Sequence, residues 1–282
     1  MAATLFDIFL DAVLDTLKLI PFLLLAYLLM EYVEHKMSDR AVSVIHRAGK
    51  LGPVLGGALG IVPQCGFSAA MSNLYAVGII SRGTLLAVFL ATSDEMLPIL
   101  ISESVPAPLI LKILGVKLVS AVIVGFAVEA FTKKSAVGDI HNLCESEKCH
   151  CEHGIFLSAV KHTMQIVLFI FVVNLILTGI FELCGTESLS RFILNRPVIG
   201  ELLAGIVGLI PNCAASVVIT ELYLQGGMSV GAMLSGLLTG SGIGLLVLFR
   251  TNHNLKDNLK TLGILYISGV LLGFIAGLMP IF

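Results

Sequence analysis

The 282-residue sequence is short of charge, since Asp, Glu, Lys and Arg make up only 13% of it. An ordinary soluble domain carries about 25% charged residues. Apolar residues make up 57%, and the mean hydropathy is +0.99. This composition excludes a large soluble domain, because so much apolar surface needs lipid as its solvent. The net charge of −2 gives no reason to expect nucleic acid as a partner, whereas a lipid bilayer is required.

Several functional signatures are also absent. The sequence has no P-loop motif, so the chain by itself is not an ATP-driven pump. The N-terminus has no basic region of a secretory signal but carries Asp7, Asp11 and Asp15, and we expect a retained first helix. The cysteines are not spaced as a disulfide framework, because two lie in apolar segments and three crowd one polar loop.

Five apolar segments precede residue 132, at roughly 4–33, 51–62, 64–80, 83–102 and 106–131. The first and last are long enough to cross a bilayer, which takes about 20 residues. Segment 51–62 is too short to cross unaided, and Pro63 cannot continue its helix. Segment 83–102 is interrupted at its centre by Thr92-Ser93-Asp94-Glu95. Two charges there predict a break that faces protein or water, because lipid would leave them unsatisfied.

The same five segments recur in the second half of the chain. GALGIVPQCGFSAAMSNLYAVGIISRG (57–83) matches GIVGLIPNCAASVVITELYLQGGMSVG (205–231) at an offset of 148 residues. The identities in this register include residues that apolar composition alone would not align: Pro63 with Pro211, Cys65 with Cys213, Ser68 with Ser216, Tyr75 with Tyr223 and Gly78 with Gly226. The register continues without a gap to Gly125-Phe126 and Gly273-Phe274, so we predict an internal duplication.

The basic residues predict the orientation. Loops 34–50, 133–154 and 250–260, together with Arg82, hold most of the Lys and Arg. They fall on one side of the membrane if each half has five segments and the N-terminus is outside. An odd number of segments per half means that the two halves are inverted repeats. We therefore predict an all-α integral membrane protein of the cell membrane, with repeats at 1–132 and 155–282 and a cytoplasmic linker at 133–154. Broken or re-entrant helices are expected to cross near the midplane.

The strongest motif is a pair of breaks, Pro63-Gln64-Cys65 and Pro211-Asn212-Cys213. Each break follows a short glycine-rich helix and opens a new one, so free carbonyl and N–H groups meet there. Such ends can bind an ion. The alternative is a kinked pair of packing helices with inert, buried cysteines. Because the break occurs twice in equivalent positions, we predict a transport site with ligands from Gln64, Cys65, Asn212 and Cys213.

Acidic residues near the breaks differ between the halves. Asp94 and Glu95 occur in the first half only, whereas Glu221 of the second half falls on Asn73 of the first. Carboxylates within a membrane are costly and are read as functional, although Glu221 could also lie near the headgroups. As hard oxygen donors they suit a divalent cation or a proton. The predicted transport site therefore also contains Asp94, Glu95, Glu221, Asn73, Ser93 and Ser241.

The linker between the halves carries soft and borderline metal ligands: His141, Cys144, Cys149, His150, Cys151 and His153. Three Cys and three His are enough for a tetrahedral ion, but their spacing matches no standard zinc module. We interpret the linker as a loop that collects or senses metal. The alternative is a polar linker of unrelated origin.

At GIVPQCGFSAAMSNLYAVGIISRGTLLAVFLATSDEMLPIL, and again at GLIPNCAASVVITELYLQGGMS and LLTGSGIGLLVLF, the sequence resembles the putative ten-transmembrane heavy-metal exporter family. This family is related by name to arsenic permeases, and some members are labelled manganese transporters. The resemblance covers nearly the whole chain. It implies ten membrane segments, in agreement with the count made from the residues.

The leading hypothesis is a secondary-active exporter of a divalent transition metal, with Mn²⁺ favoured over Fe²⁺ or Zn²⁺, coupled to protons. The alternative is a permease for arsenite, an organoarsenical or another thiol-reactive substrate, with Cys65 and Cys213 as first contacts. A metal sensor and a membrane-embedded enzyme are minor alternatives, and we expect no enzyme activity. No cofactor is required, because the metal is the substrate. A homo-oligomer is compatible with the sequence.

Overall fold

The computed structural model describes residues 51–61, 65–93, 96–132 and 198–279, together with isolated helical positions within 9–28 and 160–175. The described residues contain no strand. The first half contributes five helices to them: α1 (Gly52–Gly60), α2 (Cys65–Ala76), α3 (Arg82–Ala91), α4 (Met96–Ser102) and α5 (Ala107–Phe131). The second half contributes another five: α6 (Ile199–Gly208), α7 (Cys213–Leu224), α8 (Val230–Thr239), α9 (Gly244–Thr251) and α10 (Leu255–Leu278).

The helix ends follow the duplication seen in the sequence. Adding 148 to the bounds of α1–α5 reproduces those of α6–α10 to within one residue at each end. The local stop and start signals repeat as well. Gly78 and Gly226 both have a positive φ and end α2 and α7, and the hydroxyls of Ser81 and Ser229 cap α3 and α8. Each capping hydroxyl accepts a backbone N–H three residues later, as N-cap serines do.

Four helical stretches among the described residues are long and apolar enough to cross a membrane: Arg82–Ser102, Ala107–Phe131, Val230–Thr251 and Leu255–Leu278. Helices α1 and α6 are much shorter, at 9 and 10 residues. At 1.5 Å per residue they reach only about half of a 30 Å hydrocarbon core. The prediction that segment 51–62 is too short to cross unaided agrees with the length of α1.

Two of the four stretches are broken in the middle. The first runs through α3 and α4, which are separated by residues 92–95, and the second through α8 and α9, separated by residues 240–243. The prediction of a break at Thr92–Glu95 is confirmed by these helix ends. The broken stretches are 75% and 83% buried within the protein, whereas the unbroken α5 and α10 are 39% and 28% buried. Interrupted backbone thus lies inside the bundle, where protein can satisfy its polar groups.

Each half packs in the same way. Helix α3 lies between α1 and α5, and α8 lies between α6 and α10. Glycines allow the short helices to approach closely: a Cβ at Gly60 would lie 2.8 Å from the Val88 carbonyl oxygen, and one at Gly208 would lie 2.1 Å from that of Gly236. Since Gly60 and Gly208 are related by the offset, the close approach belongs to the duplicated scaffold.

The two halves meet along α2 and α9 and through a polar contact that we call the polar junction, formed by Tyr75, Arg82 and Asp257. The Tyr75 hydroxyl donates to the Asp257 carboxylate at 2.6 Å, and Arg82 forms an ion pair with the same carboxylate. Arg82 Nε also donates to the Tyr75 hydroxyl at 3.2 Å. The junction joins the beginning of α3 in the first half to the beginning of α10 in the second.

Candidate functional site

A small cavity lies where the breaks of the two halves meet. Thr92 and Ser93 line it from the first half, and Asn212, Ser216 and Gly240 are among its residues from the second. Its volume is about 10 Å³, counted as the space open to the centre of a water-sized sphere. That is room for about one water molecule or an ion of similar size.

The first half presents two hydroxyl oxygens at the cavity. The Thr92 hydroxyl donates to the Val88 carbonyl at 2.7 Å, and the Ser93 hydroxyl donates to the Ala91 carbonyl at 3.1 Å. Because each hydroxyl proton is used on the backbone, the lone pairs of the oxygen remain available. An oxygen in this state can accept a bond from water or bind a cation, but it does not donate to an anion.

The second half contributes an amide and a turn of irregular backbone. Asn212 is buried at the end of the turn between α6 and α7, and Ser216 follows one helical turn into α7. Gly240 and Gly242 line the cavity where α8 ends, and Gly242 has a positive φ two residues before α9 begins. Between them, the Ser241 hydroxyl is buried with no hydrogen-bond partner among the described residues. Unpaired buried oxygens are rare, so Ser241 marks a place where a polar group is missing.

The offset of 148 residues relates the cavity residue Ser216 to Ser68 of the first half, and Ser68 is closely packed. Gly244 of α9 lies against Ser68 and Phe89, and a Cβ on it would meet both side chains at 2.8 Å. The Ser72 hydroxyl donates to the Gly244 carbonyl at 2.7 Å and fixes this contact. The duplication thus provides two related positions. Ser216 lies at the cavity, whereas Ser68 packs in the contact between α2 and α9.

Lys117 reaches the edge of the cavity from α5. Its side chain is fully buried, and its Nζ donates to the Leu237 carbonyl oxygen at 2.5 Å. Leu237 lies in the last turn of α8 and lines the cavity. The sequence indicates that Lys117 lies deep enough in the membrane to need a partner; the structure supplies this carbonyl.

Two of the predicted ligands lie elsewhere. Asn73 is fully buried in α2, where its amide oxygen accepts a hydrogen bond from the Thr251 hydroxyl at 3.0 Å. Glu221 is on an exposed face of α7. Neither residue lines the cavity. Among the predicted ligands whose side chains are described, Ser93 and Asn212 are brought together, and Ser241 lies between two cavity-lining glycines.

The remaining predicted ligands fall outside the described side chains: Gln64, Cys65, Asp94, Glu95 and Cys213, and His141, Cys144, Cys149, His150, Cys151 and His153 of the linker. Two of them are direct neighbours of cavity residues in the sequence. Asp94 directly follows Ser93, and Cys213 directly follows Asn212. Within the described part of the chain, no three His, Cys, Asp or Glu side chains come together as a metal site.

Sequence reasoning passed over Thr92 and Ser216 as ligands, although both stand within the predicted breaks, and it did not identify the partner of Lys117. The depth of Lys117 in an apolar segment indicated that it needs a partner, and the offset aligns it with Leu265, but neither observation says which group it meets. A lysine that replaces a leucine in a fully buried position has to bind something there.

One sequence family matches the chain. It is described as "Putative, 10TM heavy-metal exporter", and it covers residues 4–186, well over half of the sequence. The chain belongs to this family. The resemblance to this family is therefore confirmed, and the protein is a multi-pass membrane protein whose family is described as a metal exporter. No curated protein and no solved structure matches the sequence. The family match ends before Asn212, so it says nothing of the second half's contribution to the cavity.

Proposed function

We propose that this protein is a secondary-active exporter of a divalent transition metal ion, with Mn²⁺ favoured and Fe²⁺ or Zn²⁺ as alternatives, coupled to protons. The single observation that carries the proposal is the cavity between the two halves. It joins the breaks of α3–α4 and α8–α9 and has room for about one water molecule. Exchange for protons is proposed because the adjacent carboxylates can take up either ion.

The chemistry of the lining supports a hard cation. The hydroxyl oxygens of Thr92 and Ser93 keep free lone pairs, and the amide oxygen of Asn212 is a ligand of the same kind. Oxygen donors suit Mn²⁺ and Mg²⁺ better than soft ions. Asp94 and Glu95 would supply the negative charge that these neutral donors lack. Further candidate ligands are Gln64, Ser241 and Cys213. The cavity lining does not include Glu221 or Asn73.

The ends of the broken stretches support an inverted repeat. Arg82 is the first residue of the first broken stretch, and it pairs with Asp257, which follows closely after the last residue of the second. The beginning of the first stretch therefore lies near the end of the second. This is expected when one half is inverted relative to the other. We propose that the halves rock about the cavity, with the polar junction and the 133–154 linker on the cytoplasmic side. Export follows from this placement, because the soft-ligand linker then faces the cytoplasm.

The alternative substrate is arsenite or another thiol-reactive species. One observation favours it: Cys213 is the first residue of α7 and follows directly on the cavity residue Asn212. Its equivalent, Cys65, is the first residue of α2. Against this alternative stands the lining of the cavity, whose described side chains present hydroxyl and amide groups and no thiol.

The test is ion flux into liposomes that contain the purified protein. Mn²⁺, Fe²⁺, Zn²⁺, Cd²⁺ and arsenite are compared with and without a pH gradient. We expect Mn²⁺ flux that is driven by the gradient and falls at least tenfold in Asn212→Ala. Ser102→Ala is the control, because its hydroxyl is exposed at the end of α4 and lies away from the cavity. Absence of flux for every metal would remove the proposal.

The double variant Cys65→Ser/Cys213→Ser separates the two substrates. A Mn²⁺ exporter with oxygen ligands keeps most of its Mn²⁺ flux in this variant. If the wild type carries arsenite but no Mn²⁺, and the double variant loses the arsenite flux, the thiols are the primary ligands and the alternative replaces the leading proposal.

A further inference from the structure

Glu201 is a buried acid that the proposed transport site does not use. It lies in the first turn of α6, its side chain is 5% exposed, and its Oε2 has no hydrogen-bond partner among the described residues. A buried carboxylate oxygen without a partner is costly, and an acid buried in a membrane protein is read as functional. The family match ends before this residue, so it assigns Glu201 no role.

The Glu201 carboxyl group lies against the first turn of α8. A Cβ on Gly231 would lie 2.7 Å from Glu201 Oε1 and 3.4 Å from the Gly273 carbonyl oxygen of α10. The free N–H groups of a first helical turn favour a negative charge beside them. The Gly273 carbonyl offers an acceptor nearby for the proton of a neutral carboxyl group. The surroundings of Glu201 therefore suit both its ionised and its protonated form.

A row of buried hydroxyls continues from this point along α8. Ser235 and Thr239 lie four and eight residues after Gly231, so all three positions share one face of the helix. Both hydroxyl residues are fully buried. The Ser235 hydroxyl lies 3.4 Å from the Val270 carbonyl of α10, and the Thr239 hydroxyl donates to the Gly205 carbonyl of α6 at 2.9 Å. The face of α8 that packs between α6 and α10 is thus polar along its length.

The far end of this polar face is the cavity. Gly240, the next residue after Thr239, lines the cavity, and so does Gly208 of α6. A Cβ on Gly208 would collide with the Thr239 hydroxyl. Thr239 lies about 12 Å along α8 from Gly231, where the Glu201 carboxyl group packs. The buried acid and the cavity are therefore joined by one polar face.

The first half has no such face. The 148-residue offset aligns the three polar residues Glu201, Ser235 and Thr239 with Pro53, Ala87 and Ala91. Since the first half packs in the same way with apolar residues at all three positions, the duplicated scaffold does not require the polar ones. They occur together in one half and are absent together from the other, as is expected of groups that act together.

Glu201 lies at the end of the bundle opposite the polar junction. The Gly277 Cα of α10 is 3.4 Å from the place of a Cβ on Gly231, so the end of α10 packs beside the Glu201 carboxyl group. Asp257 of the polar junction precedes Gly277 by 20 residues, or about 30 Å of helix. That length equals the thickness of a hydrocarbon core. In the proposed orientation, Glu201 is therefore at the outer end.

The described helices that pack against α6 bring no cation to this end. Helix α8 contains no titratable residue, and those of α7 and α10 are Cys213, Glu221, Tyr223, Lys256, Asp257, Lys260 and Tyr266. The three charges of α10 lie in its first two turns, at the opposite end of the bundle. Glu221 is on an exposed face of α7, and the Tyr266 hydroxyl donates to the Leu202 carbonyl at 3.1 Å.

We propose that Glu201, Ser235 and Thr239 form the path by which the exchanged proton reaches the cavity. The Glu201 carboxylate takes a proton from water at the outer end. The two hydroxyls, which both donate and accept, pass it on through water that enters as α6 and α8 separate during rocking. The proton arrives at the cavity as the metal leaves, and Glu201 returns to its ionised form. This inference rests on the proposed function and adds the route of the proton.

Packing is the competing explanation, because serine and threonine hydroxyls often bond to carbonyls where membrane helices approach closely. An acid beside a first helical turn also stabilises that helix. The two explanations differ in which transport mode a substitution affects. Damaged packing lowers every mode of transport, whereas a blocked proton path lowers only the modes that move protons.

The experiment measures two modes in liposomes: Mn²⁺ flux driven by a pH gradient, and exchange of Mn²⁺ for Mn²⁺ without a gradient, which moves no net proton. We expect Glu201→Gln to lose at least tenfold in driven flux and to stay within about twofold in exchange. Thr239→Val removes a hydroxyl at similar shape and should also lower driven flux more than exchange. Glu129→Gln is the matched control, because Glu129 lies at the start of α3, where the Ser81 hydroxyl bonds to it. It should leave both modes unchanged.

Unchanged driven flux in Glu201→Gln, or equal losses in the two modes, would overturn the inference. If the wild type moves no metal at all, the proposed function fails separately, and the proton site is tested by infrared spectroscopy of the purified protein. We expect a band of protonated carboxyl groups to grow as the pH is lowered from mildly alkaline to mildly acidic. Part of this band should be missing in Glu201→Gln and present in Glu129→Gln. A band in Glu201→Gln as strong as in the wild type means that Glu201 takes up no proton, and the inference is wrong.

Discussion

The polar junction and its counterpart in the other repeat occupy equivalent positions but are held together by different chemistry. At the polar junction, Arg82 and Tyr75 share the carboxylate of Asp257, which also accepts a bond from Asn252 at 3.0 Å. The side chains of the ion pair are only 12% and 18% exposed. Three polar side chains therefore depend on one carboxylate that water reaches poorly.

The counterpart, which we call the apolar junction, consists of Tyr223, Val230 and Leu109, the residues that the 148-residue offset aligns with Tyr75, Arg82 and Asp257. All three are partly buried and pack against the same hydrophobic cluster. Their packing against this cluster is stabilised by buried apolar area, which is not directional. The helices also differ at the two places, because α2 packs more extensively on α9 than α7 packs on α4. A duplicated backbone thus accepts either a directional or a non-directional contact at the same position.

The largest expected effect comes from removing the shared carboxylate. Asp257→Ala leaves Arg82 partly buried without its counter-ion and leaves the Tyr75 hydroxyl without an acceptor. We expect a loss of about 2–4 kcal/mol, which is roughly 5–10 °C in the melting temperature in detergent. Leu109→Ala is the matched change at the apolar junction and should cost less, about 1–2 kcal/mol, because its side chain is only partly buried.

The comparison would fail if Leu109→Ala destabilised the protein as much as Asp257→Ala. Whether the loss of stability in Asp257→Ala comes from the ion pair is checked with Arg82→Ala and the double variant Arg82→Ala/Asp257→Ala. Residues in direct contact couple, so the double variant should lose less than the sum of the two single losses.

A smaller difference is expected between the two tyrosines. Tyr75→Phe removes a hydroxyl that both donates to Asp257 and accepts from Arg82, and it should cost about 1–1.5 kcal/mol. Tyr223→Phe is the same change at the equivalent position, where the neighbours Val230 and Leu109 offer no polar side chain, and it should stay within about 0.5 kcal/mol. Thermal unfolding of both variants in the same detergent measures the difference. Equal losses would show that the hydroxyl of Tyr75 contributes nothing through the ion pair.

The smallest effect is expected from converting one junction into the other. Arg82→Val/Asp257→Leu gives the polar junction the side chains of its counterpart. Replacement of a buried ion pair by packed apolar residues is often neutral, so we expect the double variant to lie within about 1 kcal/mol of the wild type. A loss as large as that of Asp257→Ala would mean that the backbone at this end has adapted to the ion pair and that the two junctions are not interchangeable.

The helices and their breaks could be predicted from the sequence because their causes are local. Proline ends a helix, and charge in an apolar run predicts a break, so the end of segment 51–62 and the break at Thr92–Glu95 were predictable from the sequence. Even the second break, which has no charge, followed from the register. The sequence also placed Ser93 and Asn212 in one predicted site, and both line the cavity.

The residues that line the cavity were harder to predict. Asn73 and Glu221 align with each other in the register, which suggested a shared site, yet Asn73 bonds to Thr251 and Glu221 lies on an exposed face. An offset along the chain relates equivalent positions, but it does not say which positions of the two halves face one another. That depends on the depth and rotation of each helix in the bundle.

By itself, the sequence determined that this is a membrane protein of two related halves, with interrupted helices at equivalent places, because hydropathy, proline, glycine and repeated register act over a few residues. The tertiary structure alone decided which groups bond across the halves: Lys117 with the Leu237 carbonyl, and Arg82 with Asp257. These contacts join residues more than 100 positions apart. They depend on how one half packs on the other, and that arrangement is fixed by the whole interface between the halves and not by any local pattern.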